Sequence, residues 1–310
     1  MKIDSYKLIV GNATDIGIVR EHNEDYMAHF DTPYGYCIIV CDGMGGHAAG
    51  EVASQGAIEA IKHYLQDGKV TKLDTAISLQ NAIEFANYKL LEMVQLNPAL
   101  TGMGTTCIMA LINQSEMYVA HAGDSRLYLI RENDIKQLSK DHSTIQNLID
   151  AGVLTEEEAK VSEKRNQITK AIGIFEKVEP TVTKQAFRLK HNDRILLCSD
   201  GLTAHLNQKD ISATINTYPD VQTAALKLVE KANSEGGTDN ITVQLIQYTG
   251  KSSKNIKRRI LMKTIRLIIM ALIVAGLSFV AYEYFFKDIL SKSKDTQSES
   301  DKKSTVIKGL

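Results

Sequence analysis

Residues 39–51 read IVCDGMGGHAAGE: an apolar run, a glycine-rich turn and the start of a helical pattern. Glycine loops between strand and helix commonly hold a phosphate on backbone N–H groups and the positive end of the helix. Asp42 opposes that use, because it sets a carboxylate where such a loop needs only amides. The run Gly43-Met44-Gly45-Gly46-His47-Ala48 also lacks the third glycine of a dinucleotide fingerprint, and there is no Gly-Lys-Ser/Thr of a P-loop. The loop therefore requires something that neutralises the charge on Asp42.

Outward from it, the runs at 36–41 (YCIIVC), 105–112 (TTCIMALI), 117–120 (MYVA), 126–130 (RLYLI), 194–198 (RILLC) and 241–246 (ITVQLI) are short and rich in β-branched or aromatic residues, as strands are. Tight turns between them, HAGDSR at 121–126 above all, predict hairpins and a mainly antiparallel sheet. Apolar residues at three- and four-residue spacing predict helices over 51–65, 75–96 and 221–232. Helices layered on sheet give an α+β protein. Residues 141–180 form a polar, partly helical insertion that opens a capping box at Thr155-Glu156-Glu157-Glu158, an expected flap over a site.

The chain carries 36 Lys/Arg and 37 Asp/Glu; residues 251–310 hold 13 and 5 of these, leaving 23 and 32 for the first 250. The acidic body argues against nucleic acid as a ligand and suits a protein that gathers cations. The four cysteines (Cys37, Cys41, Cys107, Cys198) lie in apolar runs without zinc-ligand spacing and read as reduced core residues. The N-terminus shows no signal-peptide pattern. Near the other end, residues 265–286 contain 16 uninterrupted apolar or small residues (267–282), and 22 helical residues rise about 33 Å, enough to cross a bilayer. Lys251, Lys254, Lys257, Arg258, Arg259, Lys263 and Arg266 precede this run, which by the positive-inside rule places the body in the cytoplasm. The expected organisation is a catalytic domain over 1–248, a basic linker over 249–264, a membrane helix over 265–286 in contact with lipid, and an external tail over 287–310.

Two strands end alike, in Asp42-Gly43 and Asp200-Gly201; Asp239-Asn240 opens another, Asp124 sits between two, and Glu24-Asp25 precedes a further run. Carboxylates gathered at one sheet edge either protonate or bind a cation, and hard oxygen donors without His or Cys select Mg²⁺ or Mn²⁺.

The motifs D-x-G-x-x-R-x-x-N-E-D (Asp15 to Asp25), C-D-G-M-G-G (Cys41 to Gly46), Gly50-Glu51-Val52-Ala53-Ser54, M-G-T-T (Met103 to Thr106), G-D-S-R (Gly123 to Arg126), S-D-G-L (Ser199 to Leu202) and T-D-N-I-T (Thr238 to Thr242) follow one another in family order. In this set the chain resembles, over residues 1–248, the bacterial branch of the PPM-type metal-dependent serine/threonine protein phosphatases, the type-2C family. The resemblance implies an α-β-β-α sandwich of two mainly antiparallel sheets flanked by helices, here followed by one C-terminal transmembrane helix. It implies two core Mn²⁺ or Mg²⁺ ions and provision for a third. By matched position, Asp42 bridges both metals; the Gly43 carbonyl, Glu24 and Asp25 serve one ion; Asp200 and Asp239 serve the other; Asp124, with Asp200, serves a third. Arg20 holds the substrate phosphate, as a bidentate and permanently charged guanidinium suits. The implied chemistry is in-line attack of a metal-bridged hydroxide on phosphoserine or phosphothreonine, with no cysteine nucleophile; position 47 is His47, where a cysteine-based phosphatase loop carries arginine. The implied partners are phosphorylated proteins, with a membrane serine/threonine kinase and its targets foremost. Two positions depart from the family: Met44 replaces the histidine of animal relatives, and Lys170 replaces an arginine of bacterial ones. Arg126 reads as an ion pair that ties down the Asp124 turn. A rival reading is a catalytically silent, membrane-tethered regulator that binds phosphoproteins on the same fold.

Overall fold

A computed structural model describes residues 1–45, 49–67, 74–160, 162, 164, 166–250, 264–283, 285–287 and 289, and the chain forms two compact units, Met1–Gly250 and Lys251–Leu310. His47 lies outside the described residues, as do nearly all of the expected linker and tail.

In the first unit the strands, in chain order, are β1 (Lys2–Ile3), β2 (Leu8–Asp15), β3 (Asp25–Thr32), β4 (Gly35–Met44), β5 (Gly104–Thr105), β6 (Cys107–Asn113), β7 (Glu116–Ala122), β8 (Arg126–Arg131), β9 (Asp134–Gln137), β10 (Thr181–Val182), β11 (Phe187–Arg188), β12 (Arg194–Cys198) and β13 (Ile241–Tyr248). The helices are α1 (Ala49–Gln66), α2 (Thr75–Leu96), α3 (Thr144–Asp150), α4 (Glu156–Lys160), α5 (Asp200–Thr203), α6 (Gln208–Thr217) and α7 (Val221–Ser234). One sheet runs β1-β2-β13-β12-β8-β9; the other runs β10-β7-β6-β4-β3, with β11 on β7 and β5 on β4, and every pairing is antiparallel.

Three apolar layers hold this together. On β4 the side chains alternate: Cys37, Ile39 and Cys41 pack under α1 and α2 with Ile58, Ile61, Leu79 and Ile83, while Tyr36, Ile38 and Val40 face the other sheet with Val10, Leu127, Ile195 and Ile246. A strand buried on both faces reads as a continuous apolar run, which is why 36–41 was legible. The third layer joins Leu196, Val243 and Leu245 to Ile211, Ala224 and Leu228 of α6 and α7. Gly11 lets β2 and α7 touch, since a Cβ there would lie 2.4 Å from the Val221 carbonyl oxygen. The expected sandwich is therefore present.

One expectation is corrected. HAGDSR does not close a hairpin: β7 pairs with β6, β10 and β11, whereas β8 pairs with β12 and β9, so the turn carries the chain from one sheet to the other. Gly123 permits the crossing with φ +108°, where a Cβ would fall 2.6 Å from the Thr106 side chain. The Thr155 capping box does form, with the Thr155 amide donating to Glu158 Oε2 at 2.9 Å and the Glu158 amide donating to Thr155 Oγ1 at 3.2 Å.

In the second unit, a helix over Thr264–Lys287 is long and apolar enough to cross a membrane, with mean hydropathy 2.3 in its most apolar window. At 24 residues its length is about 36 Å.

Candidate functional site

Strand ends and turns from both sheets converge at one end of the sandwich. Glu24, Asp42, Asp124, Asp200 and Asp239 line a cavity of about 400 Å³, together with Arg20, the Gly43 backbone, Thr106 and, from the expected flap, Asn166 and Ile168. Asp25 lies behind this lining, only 6% exposed, and is the cross-strand partner of Asp42 in the β3–β4 register.

Local structure explains why each carboxylate stands where it does. Asp42 sits near the C-terminal end of β4, with its amide donating to Thr106 Oγ1 at 3.0 Å and its carbonyl accepting from Thr105 Oγ1 and the Thr106 amide, both at 2.8 Å. Thr106 Oγ1 also contacts Ser125 Oγ at 2.7 Å, which joins the Asp42 strand to the Asp124 turn. Glu24 is pinned by Asn240, whose Oδ1 accepts its amide at 2.8 Å, and by Ser54, whose hydroxyl donates to its carbonyl at 2.6 Å. Gly43 and Gly50 allow the approach: a Cβ on Gly43 would lie 2.1 Å from the Gly50 carbonyl oxygen, and one on Gly50 would lie 2.4 Å from Glu24 Oε1. Asp200 opens α5, whose N-cap Ser199 makes no capping bond with its side chain; the hydroxyl donates instead to Asp25 Oδ2 at 2.7 Å and accepts the Thr242 amide at 3.0 Å. The Asp124 turn is braced as expected by Arg126, which grips Asp141 with Nε and Nη2 at 2.7–3.0 Å. His142, stacked on His121 at 4.6 Å, adds a bond from the Gly123 amide to its Nδ1.

Crowding raises the proton affinity of the whole group. Burial, then the charges of Asp25, Asp200, Asp124 and Asp239, pushes Asp42 well above the carboxylate range. Burial first, then neighbouring charge, brings Asp25 and Asp124 up to about 7. Asp200 rises through burial and the charge of Asp239, its carboxyl being within hydrogen-bond reach of Asp42. Glu24 rises through burial, countered by Arg20. Glu24 Oε1 and Asp25 Oδ1 are buried without a hydrogen-bond partner among the described residues. Like charges held this close in a low-dielectric site need protons or cations. No three acidic, His or Cys side chains among the described residues form a closed ligand group by themselves, so any cation here would also draw on backbone oxygen or water. The donor set is entirely oxygen, which suits Mg²⁺ or Mn²⁺.

Arg20 stands at the cavity mouth, half exposed, with Nη2 2.8 Å from Asp239 Oδ2. Lys170 does not line the cavity; its ammonium donates to the Glu179 carbonyl at 2.9 Å. Thr105, Thr106, Ser125, Ser199 and Asn240 stand inside the sequence motifs with no role assigned to them, yet they fix the acidic residues. Their places in the M-G-T-T, G-D-S-R, S-D-G-L and T-D-N-I-T motifs are the sequence signal for them. The four cysteines are buried and unbridged, and burial pushes the Cys198 thiol up to about 12 and Cys41 well above its ordinary value.

The protein phosphatase 2C family model matches residues 23–241. The serine/threonine phosphatase stp of Listeria monocytogenes is 35% identical over 237 residues, covering 76% of this chain and 93% of that protein. The protein phosphatase PhpP of Streptococcus pneumoniae is 38% identical over 250 residues, covering 78% and 98%. Among solved structures, the Mycobacterium tuberculosis serine/threonine phosphatase PstP/Ppp superposes with a TM-score of 0.71 at 37% identity, over 78% of this chain and 99% of that one. The PstP catalytic domain in complex with two manganese ions gives 0.69 at 36%, over 78% and 98%.

Proposed function

The chain belongs to the protein phosphatase 2C family, whose members are manganese- or magnesium-dependent serine/threonine phosphatases, and from that premise we propose a membrane-anchored enzyme that hydrolyses phosphoserine and phosphothreonine in proteins. The observation that carries the site assignment is the convergence of Glu24, Asp42, Asp124, Asp200 and Asp239 on one cavity, with Glu24 Oε1 and Asp25 Oδ1 buried and without a hydrogen-bond partner among the described residues. Asp42 would serve both core ions, with the Gly43 carbonyl, Glu24 and Asp25 for one and Asp200 and Asp239 for the other. Asp124, with Asp200, would serve a third.

When bound, such ions lower the pKa of coordinated water and offset phosphoryl charge. The chain's own residues hold the substrate. Arg20 presents a guanidinium to the phosphate at the rim, and its bond to Asp239 fixes the fork's direction. Thr105 and Thr106 hold the Asp42 backbone, which keeps the central carboxylate facing the cavity. Met44 lines the cavity and has no proton to give the leaving oxygen. Burial raises the thiols of Cys41 and Cys198 and keeps them from ionising to attack phosphorus.

Hydrolysis of p-nitrophenyl phosphate by the full chain with Mn²⁺, with and without EDTA, tests this directly. Turnover should fall to background with chelator and return with Mn²⁺. Activity that survives EDTA would remove the metal assignment; no turnover under any metal would favour the silent regulator.

The apolar helix over Thr264–Lys287 and its basic flank support an anchor with the catalytic domain on the cytoplasmic face. A tether of this kind raises the effective concentration toward phosphoproteins at the same membrane, a serine/threonine kinase and its targets among them. The full chain should sediment with membranes through high-salt washing and be released by detergent, whereas a chain lacking residues 251–310 should be soluble. Retention of the shortened chain at the membrane would end the anchor reading.

A further inference from the structure

Asp124 is held through the residues on either side of it. On one side Ser125 Oγ meets Thr106 Oγ1 at 2.7 Å, and Thr106 accepts the Asp42 amide, so this side is fixed to the strand of the central carboxylate. On the other side a single residue, His142, takes both backbone groups of Gly123. The His142 amide donates to the Gly123 carbonyl at 3.0 Å, and the Gly123 amide donates to His142 Nδ1 at 3.2 Å. His142 also opens the stem of the 141–180 insertion. Its carbonyl accepts the Thr169 amide at 2.7 Å, the Thr144 amide donates to the Gln167 carbonyl at 2.8 Å, and Ser143 forms a bridge with Ile168. Two residues of the returning stem, Asn166 and Ile168, line the cavity. The bonds settle the state of the ring. A nitrogen that accepts an amide proton carries none itself, so Nδ1 is bare and Nε2 bears the proton it donates to Thr181 Oγ1 at 2.8 Å. One ring face is stacked on His121, which is 3% exposed and whose Nε2 donates to the Lys140 carbonyl at 2.8 Å. With both nitrogens engaged and one face packed, the ring has one position, and a shift of the stem carries Gly123 with it. Asp124 follows, one peptide unit away.

We propose that His142 is a positioning residue that links cation binding at Asp124 to the stem of the 141–180 insertion, so that an ion held by Asp124 also orders the stem residues that line the cavity. This rests on the phosphatase reading and on Asp124 as a ligand in that site. A carboxylate that holds an ion loses its freedom to turn, and groups bonded to its backbone lose theirs with it. Here the path is short: Asp124, the Gly123 amide, His142 Nδ1, and from the His142 backbone to Thr169. By linkage the effect is reciprocal, and a substrate that steadies the stem strengthens cation binding at Asp124 by the same factor.

The test measures hydrogen–deuterium exchange over residues 142–154 of the full chain in detergent, with EDTA or with saturating Mn²⁺, beside a calorimetric titration of Mn²⁺. In the unsubstituted chain Mn²⁺ should slow exchange there by about tenfold. Asp124→Asn removes the ligand and should abolish the slowing. His142→Ala should abolish it too, and should weaken the Mn²⁺ sites that depend on Asp124 by about tenfold. Two further variants separate the link from packing, since both lose the stack on His121. His142→Asn sets an amide oxygen where Nδ1 stood and should keep the slowing. His142→Gln reaches toward Thr181, leaves the Gly123 amide unpaired and should lose it. Equal responses to Mn²⁺ in these two variants would mark His142 as a packing residue and overturn the link. So would exchange that Mn²⁺ leaves unchanged in an unsubstituted chain that binds the ion, and in either case the phosphatase reading stands. Should His142→Ala not fold, the Asn and Gln variants decide the matter alone. An unsubstituted chain that binds no Mn²⁺ would instead overturn the underlying reading of the site.

Discussion

Asp42→Asn is expected to lower turnover of a phosphothreonine peptide by at least about 10³-fold and, in the same protein freed of metal, to raise the melting temperature. Loss of one fixed hydrogen-bond donor to a developing anion typically costs about 10²–10³ in rate. A carboxylate at the centre of the cation site acts on both halves of it, so its loss should cost at least the upper end. The stability effect has the opposite sign because of the crowding. Asp42 is pushed well above the carboxylate range by burial and by four neighbouring aspartates, so above neutral pH its ionised form opposes folding. Asparagine has nearly the same shape and no charge, and it leaves the backbone bonds to Thr105 and Thr106 untouched. Each kcal/mol of relief corresponds to a rise of roughly 2–4 °C for a domain of this size. Differential scanning calorimetry at pH 8 in EDTA measures it. Added Mn²⁺ should stabilise the unsubstituted chain by mass action, about 2.7 kcal/mol at a hundredfold excess over Kd, and the variant far less. A lower melting temperature for the metal-free variant would show that Asp42 is a structural hydrogen-bonding group and not a strained ligand.

Patterning made part of this molecule legible. The strands β4, β6, β12 and β13 are apolar on one or both faces, so burial itself wrote them into the sequence. By contrast β3, DYMAHFDT, is the edge of its sheet and carries polar residues through most of its length, and β2, LIVGNATD, loses its apolar signal after Val10. The helix α6, QKDISATINT, is short and begins with a polar turn, so that its N-cap Asn207 is the main local mark of its start. HAGDSR misled because a tight turn after a strand has two outcomes, return within a sheet or transfer to the facing one, and local residues do not choose between them. Partners far along the chain decide that, β6 for β7 and β12 for β8. The acidic residues of the site stood out because Asp recurs beside Gly or Asn at strand ends. Their supports did not, since the bond from Ser199 to Asp25 spans 174 positions and that from the Asp42 amide to Thr106 spans 64.

Metal-free protein is expected to be more stable at pH 6.5 than at pH 8, and its affinity for Mn²⁺ should strengthen by about tenfold per pH unit for each proton displaced across that interval. The sign follows from the direction of the shifts. Asp25 and Asp124 titrate at about 7 in the folded chain, and Asp42 and Asp200 are raised as well, while an unfolded aspartate titrates near 3.9. Between those values the folded state binds protons that the unfolded state has released, so stability falls as pH rises and levels off once the folded groups have ionised. Below about pH 6.5 buried and half-buried histidines act the other way: burial lowers His29 and His121, and burial with the neighbouring His121 lowers His142 to about 3, so unfolding there takes up protons. The interval from 6.5 to 8 isolates the carboxylates. The aspartates and glutamate with lowered pKa, Asp150, Asp210, Asp220 and Glu158, lie at the surface, bound to Lys140, Lys231 and local hydroxyls and amides, and screening leaves them little weight. Cation binding must displace the protons held by the crowded group, which links affinity to the same titration. Isothermal titration calorimetry in two buffers of different ionisation enthalpy counts the protons released per ion. Asp42→Asn should reduce that count. A count of zero, with affinity flat from pH 6.5 to 8, would mean that the carboxylates are already ionised without a cation and that their convergence imposes no electrostatic demand for one.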